Sequence, residues 1–403
     1  MLSNSKILPR HSLHIAGATL VLCGLAAFSP LSNAQQLRVT NPIAIDRSEE
    51  IIEIDLDHLL QTLHVPADQA KFLVATDAVT QDHIPVQLSS STPGGPPNKV
   101  LLLVQLTAKD AETIEFKVDP KAPPEKEQAA GRAVPERKDD FAWENRFVTY
   151  RIYGPALEKT GEIASGIDVW SKRANNFVID SFYKREQQAT AEHKPELSYH
   201  KDDGKGLDSY EVGPSRGDGG TAVWADGKLL ASKNYTSLKI LDNGPIRFRF
   251  QVAYAPWSAN GVMVTETKTI TLDAGSHLNQ IVSTYTYKGA PLTLATGIAI
   301  HHGGDSNIPA ENNIASVWDT PQDPTAGHIA TGLVATNSEK AKTLVAAQHA
   351  LMLFERKSGE PFTYYTGSGW SKADMADQTI WNAYLTSFLN SREHPLVVDW
   401  IAK

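Results

Sequence analysis

Much of the chain alternates between apolar and polar residues with the period of two that a half-buried β-strand requires. In Ile246–Val252, aromatic and aliphatic side chains fall on one face, while arginine and glutamine fall on the other. Thr265–Leu272 repeats the alternation, Asp273–Ser276 has the composition of a turn, and Leu278–Tyr287 resumes as a strand. This pattern predicts consecutive antiparallel strands, with one face of the sheet in the core and the other exposed to solvent.

The first part of the chain carries shorter strand-like runs. Ile51–Ile54, Lys71–Val74, Val100–Val104 and Ile114–Val118 are rich in β-branched and aliphatic residues. Polar turns separate them, and Ser91–Pro97 has the proline and glycine content of a loop. Short runs at this spacing are typical of a small β-sandwich, which we assign to residues 35–119.

A break in the apolar pattern divides the chain. Pro120–Asp140 is rich in proline, lysine, glutamate and alanine, and it is predicted to be an exposed linker. Residues 141–403 then carry longer strands, one amphipathic helix over Asp374–Leu389 and a last strand over Pro395–Ile401. The predicted fold is therefore mostly β, with a small N-terminal β-sandwich and a large antiparallel β-sandwich that carries one C-terminal helix.

The first 34 residues have the features of a signal peptide. Lys6 and Arg10 precede the apolar stretch Ile15–Phe28, and Ser32–Ala34 supplies small residues for cleavage after Ala34. The sequence thus predicts a periplasmic or secreted protein. An uncleaved anchor is the alternative interpretation, and the bulky residue before Cys23 disfavours a lipoprotein.

The charge balance argues against nucleic acid as a partner. The full chain has a formal net charge of −8, and loss of a leader that carries Lys6 and Arg10 leaves −10. An acidic surface repels phosphate backbones. The one cysteine, Cys23, lies in the leader, so a thiolate metal site is excluded from the mature chain. No later apolar segment approaches the length of a membrane span, so we expect no membrane partner after cleavage.

The densest polar segment is Tyr199–Gly220, which contains six glycines, several carboxylates, His200 and Arg216. Functional residues concentrate on loops that a rigid scaffold holds, so we interpret this segment as the candidate site. The alternative is a solvated loop whose aspartates cap turns. Gly213–Gly217 matches the G-x-S-x-G string of serine hydrolases, but a strand rather than a helix is predicted after it, which disfavours a nucleophilic serine.

Three aspartates of the same segment, Asp202, Asp203 and Asp208, are candidate ligands for calcium, which requires several oxygen ligands. Their spacing does not match the regular calcium-loop motif. We therefore predict no obligatory cofactor and keep calcium as an alternative.

Further candidates lie on predicted strands. His301 follows the apolar run Leu294–Ile300. Tryptophan and tyrosine rings suit the apolar faces of sugars, and arginine suits carboxylates. On that basis the strands that begin at Trp143 and Gly166 supply candidate substrate-binding and catalytic side chains: Asn145, Tyr150, Arg151, Trp170 and Lys172.

Six motifs in one order carry a family resemblance: Trp143–Leu157, Gly166–Arg173, Tyr199–Gly220, Asn243–Arg247, Leu272–Ser276 and Gly367–Ser371. Together they resemble the bacterial family called domain of unknown function 4861, over nearly the whole mature chain. The resemblance implies an exported protein encoded near genes for breakdown of pectin and other uronate polysaccharides. The second domain also looks like the galactose-mutarotase-type supersandwich of sugar epimerases, lyases and some glycosidases, which implies a fold but not a reaction.

The leading hypothesis is a carbohydrate-active enzyme that cleaves uronate-containing, pectin-like oligosaccharide by β-elimination. Arg216 is the candidate for neutralising the substrate carboxylate, and His200 or Tyr150 for the base. An aldose-epimerase-like reaction would instead pair His200 or His301 with Glu266. A non-catalytic sugar-binding protein is the third interpretation. For an acidic substrate we also expect at least three of the basic side chains near the groove to converge on one cleft.

Overall fold

The computed structural model of the protein describes residues 36–301, 303–309 and 313–401. The predicted signal peptide, including Cys23, lies outside the described residues. Within those ranges, no helix is long and apolar enough to cross a membrane. The described residues belong to one compact unit and are mostly strand, as the alternating pattern predicts.

The strands of the first half, in chain order, are β1 (Gln36–Thr40), β2 (Arg47–Asp55), β3 (Leu73–Asp77), β4 (His83–Ile84), β5 (Val86–Ser89), β6 (Lys99–Leu106), β7 (Ala111–Val118), β8 (Ala129–Val134), β9 (Asp140–Asn145), β10 (Thr149–Ile152), β11 (Asp168–Lys172) and β12 (Gly206–Leu207). Those of the second half are β13 (Asp218–Ala225), β14 (Lys228–Leu230), β15 (Tyr235–Asn243), β16 (Arg247–Ala259), β17 (Val262–Asp273), β18 (Leu278–Tyr287), β19 (Leu292–Ala299), β20 (Asp305–Asn307), β21 (Ile314–Asp319), β22 (Ile329–Val334), β23 (Lys342–Ala346), β24 (His349–Arg356), β25 (Pro361–Trp370) and β26 (Val397–Trp400). The α-helices are α1 (Leu56–Leu63), α2 (Pro155–Glu158), α3 (Ile179–Glu192) and α4 (Gln378–Glu393). Short 3₁₀ turns cover Ala67–Phe72, Pro135–Arg137, Pro195–Leu197, Pro324–Ala326 and Asn337–Glu339.

These strands form five antiparallel sheets. The N-terminal part contains a five-stranded sheet of order β26-β1-β7-β3-β4 and a three-stranded sheet of order β2-β6-β5. The larger part contains an eight-stranded sheet of order β15-β16-β17-β18-β25-β22-β21-β20. Two five-stranded sheets, of orders β12-β11-β10-β9-β8 and β14-β13-β19-β24-β23, accompany it.

Strand β6 explains how the small sandwich attaches to the rest of the protein. Val100, Leu102 and Val104 face the core between the two N-terminal sheets. Leu101 and Leu103 alternate with them and pack in a second apolar cluster with residues of the larger part, Ile246 and Ala274. The unbroken apolar run therefore reflects a strand that is buried on both faces.

The core of the larger part is aromatic. Phe141, Trp143, Phe248 and Phe250 pack ring against ring where β9 meets β16. The same core continues through β18, β24 and β25, so it joins the eight-stranded sheet to the two five-stranded sheets of the larger part. The apolar face predicted for Ile246–Val252 is the face that supplies Phe248 and Phe250.

The predicted linker needs correction. Part of Pro120–Asp140 forms β8, which pairs in register with β9. Ala129 and Val134 at the two ends of β8 are fully buried. The segment orders because its backbone hydrogen bonds are completed by a neighbouring strand, although its composition has no apolar period of its own.

Two further features differ from the sequence prediction. β26 leaves the larger part and pairs with β1, so the N-terminal sheet contains residues that the prediction placed in the second domain. Helices α1 and α3 were not predicted. The predicted C-terminal helix is present as α4, which starts after Asp377, whose carboxylate accepts from the backbone N–H of Ile380 at 2.9 Å.

Candidate functional site

The candidate site is built on the segment Tyr199–Gly217, here called the His200 loop. Its short strand β12 pairs with β11, and Gly217 forms a parallel bridge to Ile167. Both contacts need glycine. A Cβ on Gly206 would lie 2.2 Å from the backbone oxygen of Ser171, and one on Gly217 would lie 2.2 Å from that of Ile167. The loop is thus held tightly against a sheet edge.

A buried charge network lies beneath this loop. The Arg151 guanidinium donates from Nε to Asp168 at 2.8 Å and from Nη2 to Asp208 at 3.1 Å. Its Nη1 donates to the hydroxyl of Tyr199 at 3.0 Å. The Arg151 Cζ lies over the Trp170 ring, 5.1 Å from the ring centroid. Burial, and then the negative charge of Asp168, raise the pKa of Asp208 well above its ordinary value. One cation therefore faces two carboxylates and fixes the floor of the loop.

His200 lies on top of this network. Its Nδ1 is 2.9 Å from the backbone oxygen of Asp208, and its ring centroid is 4.4 Å from that of Tyr199. A carbonyl oxygen only accepts, so Nδ1 carries a proton, and in the neutral ring Nε2 is the basic nitrogen. The side chain is 55% exposed, and Nε2 has no partner among the described residues. The imidazole is held in one tautomer with its basic nitrogen open to solvent.

His301 has the opposite arrangement. Its Nδ1 contacts the Asp319 carboxylate and its Nε2 lies 2.6 Å from the backbone oxygen of Glu211. Both partners are hydrogen-bond acceptors, an arrangement that favours the doubly protonated imidazolium ring. Burial lowers the pKa of His301, but the hydrogen bond and charge of Asp319 together with the Glu211 carbonyl raise it overall. The structure corrects the predicted role of His301, because neither nitrogen is free to act as a base.

One loop carries both histidine contacts. His200 binds the carbonyl of Asp208, and His301 binds that of Glu211, three residues later. Three residues span at most about 10 Å, so the two rings lie within the length of a short oligosaccharide along the loop. The edge of the His301 ring also meets Tyr210, with centroids 5.0 Å apart and planes at 87°.

A second loop, Thr320–His328, contacts the His200 loop and forms the other part of the rim of the candidate site. Gln322 donates to the Glu211 side chain at 2.8 Å, and Lys201 lies 3.2 Å from Asp323. At the base of this loop the ring of Trp318 stacks on that of His328 at 5.4 Å and 26°, and both residues are only partly buried. The rim therefore offers an aromatic surface beside exposed charged groups.

Tyr150, Asn145 and Lys172 lie in the interior and not at the surface of the His200 loop, and the structure corrects their predicted roles. The Tyr150 hydroxyl donates to the His277 carbonyl at 2.6 Å, and burial raises the pKa of Tyr150 well above its ordinary value. Lys172 donates to Glu144 at 2.6 Å and to the Asn145 carbonyl at 2.5 Å. All three side chains are buried and support the sheet.

Arg216 and Glu266 belong to the interior as well. Arg216 donates to the hydroxyl of Ser165 at 2.9 Å, and burial lowers the pKa of Arg216. Glu266 accepts from the hydroxyls of Thr221 and Ser283, each at 2.6 Å. The expected cleft in which Arg216 faces a substrate carboxylate is therefore not observed. The other basic side chains expected there are paired with different acids: Arg146 with Glu49, Arg151 with Asp168, Lys172 with Glu144, Arg173 with Asp202, Arg247 with Asp273 and Arg249 with Asp242.

The predicted calcium ligands do not converge. Asp202 accepts two hydrogen bonds from Arg173, at 2.9 and 3.0 Å. Asp203 pairs with Arg185, and Asp208 pairs with Arg151. Within the described ranges no group of three or more acidic, histidine or cysteine side chains is arranged to hold a metal ion.

Several residues of the site were missed from the sequence. Asp168 lies in the motif Gly166–Arg173, where the tryptophan and the basic residues were noted instead. Glu211 and Tyr199 lie inside the polar segment but were not singled out. Asp319 carries no local signal, because its importance comes from contact with His301, which follows a strand of a different sheet.

Comparison with known proteins identifies the family. The profile of the family described as Domain of unknown function (DUF4861) matches residues 39–398. This protein belongs to that family. Its sequence is 28% identical to the uncharacterized protein P7 of Formosa agariphila over 384 residues, which cover 91% of this chain and 94% of that protein. The predicted resemblance is confirmed.

Solved structures show the fold of this DUF4861 protein. An alpha-mannosidase from Enterococcus faecalis V583 superposes with a TM-score of 0.50 and 8% identity, over 92% of this chain and 46% of that one. A second Enterococcus faecalis structure, described as a protein in glycosyl hydrolase family 38, gives a TM-score of 0.48 with 9% identity, over 92% and 48%. The chain spans about half the length of each. The first likeness is consistent with the predicted galactose-mutarotase-like sandwich.

Proposed function

We propose that this DUF4861 protein is a carbohydrate-active enzyme that uses His200 as a general base on uronate-containing oligosaccharide. One observation carries the proposal. The Nδ1–H of His200 is anchored on the Asp208 carbonyl, and the exposed Nε2 has no partner among the described residues. A side chain that is oriented on one nitrogen and open on the other has the geometry of an enzyme base.

The reaction that fits is β-elimination. The Nε2 of His200 takes the proton from the carbon next to the uronate carboxylate. The electron pair of that bond forms a carbon–carbon double bond to the next ring carbon, and the glycosidic carbon–oxygen bond on that carbon breaks. The departing sugar oxygen then gains a proton, from the imidazolium or from water. The products are one unsaturated uronate end and one free hydroxyl end.

Lys201 replaces Arg216 as the group that neutralises the substrate carboxylate. Its ammonium is next to His200 in sequence, and its side chain is 58% exposed. The partner of Lys201, Asp323, is on the surface, and an exposed ion pair contributes little free energy. Exchange of this partner for a substrate carboxylate therefore costs little, whereas Arg216 would have to leave the core.

The carbohydrate class has independent support. The fold is shared with a protein described as an alpha-mannosidase, and the ring of Trp318 offers a partly exposed face of the kind that stacks on sugars. A periplasmic or secreted location and cleavage after Ala34 remain part of the proposal. The proposed partner of the His200 site is an acidic oligosaccharide, and a net charge of −8 disfavours nucleic acid.

The test is an activity assay on a panel of acidic polysaccharides with three matched proteins. Unsaturated product is followed by its ultraviolet absorbance, and new reducing ends are counted in parallel. We expect His200→Ala to lower the rate by about 10²–10⁴-fold, which is the usual contribution of a general base. His83→Ala is the control, because His83 is also about half exposed and also binds one neighbour.

Other outcomes would redirect or reject the proposal. Reducing ends without ultraviolet absorbance would indicate hydrolysis and exclude β-elimination. Equal rates for His200→Ala and His83→Ala would reject His200 as the base. An epimerase that depends on Glu266 is disfavoured in advance, because Glu266 is buried and bound by two hydroxyls. Binding without any turnover would favour the non-catalytic alternative.

A further inference from the structure

A cavity with no lining residue from the His200 loop lies on the outer face of the eight-stranded sheet. Its floor is a row of polar residues that pair directly across three neighbouring strands. Thr271 of β17 is opposite Gln280 of β18, and Gln280 is opposite Tyr365 of β25. Neighbouring strands are about 4.8 Å apart, so the row presents hydrogen-bonding groups at roughly the spacing of groups on a sugar ring.

Two other elements wall this cavity. Residues 46–53, which include most of β2, form one side, and α4 forms the other with Tyr384, Phe388 and Arg392 among its lining residues. The cavity, here called the interface pocket, has a volume of about 280 Å³. Drug-sized ligands occupy pockets of about 300–1,000 Å³, so this volume suits one sugar residue rather than a longer chain.

The charged groups that line the interface pocket are five carboxylates and three guanidiniums: Asp46, Glu49, Glu50, Glu53, Asp273, Arg47, Arg247 and Arg392. Glu50 pairs with Arg47 at 2.6 Å and with Arg392 at 2.5 Å. Asp273 pairs with Arg247 at 2.6 Å. The three guanidiniums are therefore all paired, and the carboxylates outnumber them. Such a lining matches the hydroxyl groups of a neutral sugar better than it matches an anion.

Two polar side chains of the floor, Gln280 and Tyr365, keep hydrogen-bonding capacity for a ligand. Gln280 donates from Nε2 to the Tyr365 hydroxyl oxygen at 3.1 Å, so the hydroxyl proton is left to donate elsewhere. The Tyr365 ring meets the Phe388 ring at 5.0 Å and 69°, which creates an apolar corner beside the polar row. A sugar ring has apolar C–H faces and polar edges, and this corner and row offer both kinds of contact.

The backbone at the mouth of the pocket is strained. Glu49 has φ of 62°, and the pairing of β2 shifts register between Arg47 and Glu50. The bulge brings the Glu49 carbonyl so close to Gly275 that a Cβ there would lie 2.0 Å from it. Non-glycine residues with positive φ collect at ligand clamps and similar sites. The strain is located where β2 closes over the sheet face.

We propose that the interface pocket is a binding site for a neutral sugar residue, separate from the His200 site. The polar row supplies hydrogen bonds, the Tyr365–Phe388 corner supplies apolar contact, and the excess of carboxylates disfavours an anionic ligand. Only the choice of a sugar as ligand rests on the proposed function, since binding here requires no catalysis. A site of this kind would hold a neutral unit of a mixed polysaccharide while an acidic unit is processed elsewhere.

The experiment measures binding of galactose, glucose, xylose, rhamnose and galacturonate to the full mature chain by saturation-transfer NMR and calorimetry. We expect the binding that depends on Gln280 to be stronger for at least one neutral sugar than for galacturonate. Gln280→Leu should weaken that binding roughly tenfold, because it removes a donor and an acceptor from the row. Gln251→Leu is the matched control, since Gln251 lies on the same sheet face but outside the pocket.

Tyr365→Phe provides a second variant that keeps the ring and removes only the hydroxyl, should Gln280→Leu fail to fold. His200→Ala should leave sugar binding unchanged even where it abolishes turnover, which separates this proposal from the proposed function. The inference would be overturned if no neutral sugar binds, if Gln280→Leu weakens galacturonate binding more than neutral-sugar binding, or if Gln251→Leu weakens binding as much as Gln280→Leu. Loss of binding in His200→Ala would place the sugar at the other site and would also overturn it.

Discussion

At the scale of single residues, the two histidines of the site differ because of what surrounds them. His200 meets one acceptor and keeps a free nitrogen, whereas His301 meets two acceptors. The titratable groups nearest His301 are Asp319, Glu211, Tyr210 and, more remotely, His349. Protonated His301 ties the His200 loop to β21, so its charge state affects how firmly the loop is held.

This arrangement leads to a pH-dependent stability. Because the pKa of His301 is raised in the folded protein, its contribution is fully present below the ordinary value of 6.5 and is lost as the pH rises through the folded value. We expect wild-type protein to lose unfolding free energy over that range and His301→Gln to lose less. Urea denaturation between pH 5.5 and 9 measures both slopes, with His83→Gln as control. Identical slopes for wild type and His301→Gln would contradict this role.

At the scale of elements, α4 and β26 show how the chain end stabilises the rest. Trp381 and Leu385 of α4 pack on β22 and β25, where Gly332 and Gly369 leave room for them. A Cβ on Gly332 would lie 2.8 Å from Leu385. Beyond α4, β26 adds an edge strand to the N-terminal sheet and thereby covers one edge of β1.

The value of β26 can be measured at Trp400. Its ring lies 4.9 Å from that of His58 and 6.5 Å from that of Phe116. We expect Trp400→Ala to lower the unfolding free energy by about 2 kcal/mol, less than a fully buried tryptophan because the ring is only partly buried. Val397→Ala in the same strand should change it by less than about 0.5 kcal/mol, since Val397 is exposed. Similar losses for both variants, measured by urea denaturation, would show that β26 pairing rather than the Trp400 ring matters.

At the scale of the whole molecule, the small sandwich and the larger part are joined by apolar packing and by buried charge. Leu101 and Leu103 supply the apolar contact with Ile246. Arg47 supplies the polar contact, because its guanidinium is buried and donates to the backbone oxygens of Ser391, within α4, and His394, just beyond it. Residues more than 300 positions apart in sequence therefore share one hydrogen-bonding group.

We expect Arg47→Met to destabilise this junction. The change keeps the aliphatic stem but leaves two carbonyl groups without their donor and removes one partner of Glu50, at a cost of about 3 kcal/mol. Urea denaturation gives the size of the loss, and hydrogen exchange of β1 and β26 shows whether the junction opens first. Arg38→Met is the control, since Arg38 is exposed on β1. An equal loss in both variants would mean that the effect is not specific to the junction.

The sequence by itself determined the β-rich fold, the end helix and the family, because periodicity and local motifs are properties of neighbouring residues. It also predicted His200 as a candidate, because this histidine lies in the densest polar segment of the chain. Tertiary structure alone decided that Arg216 and Lys172 are buried and that Arg151 donates a hydrogen bond to Asp208, 57 positions away. It also decided that His301 is bound by Glu211 and Asp319. The sequence specifies which side chains can be charged, but the partner of each charge depends on which strands the folded sheets bring together.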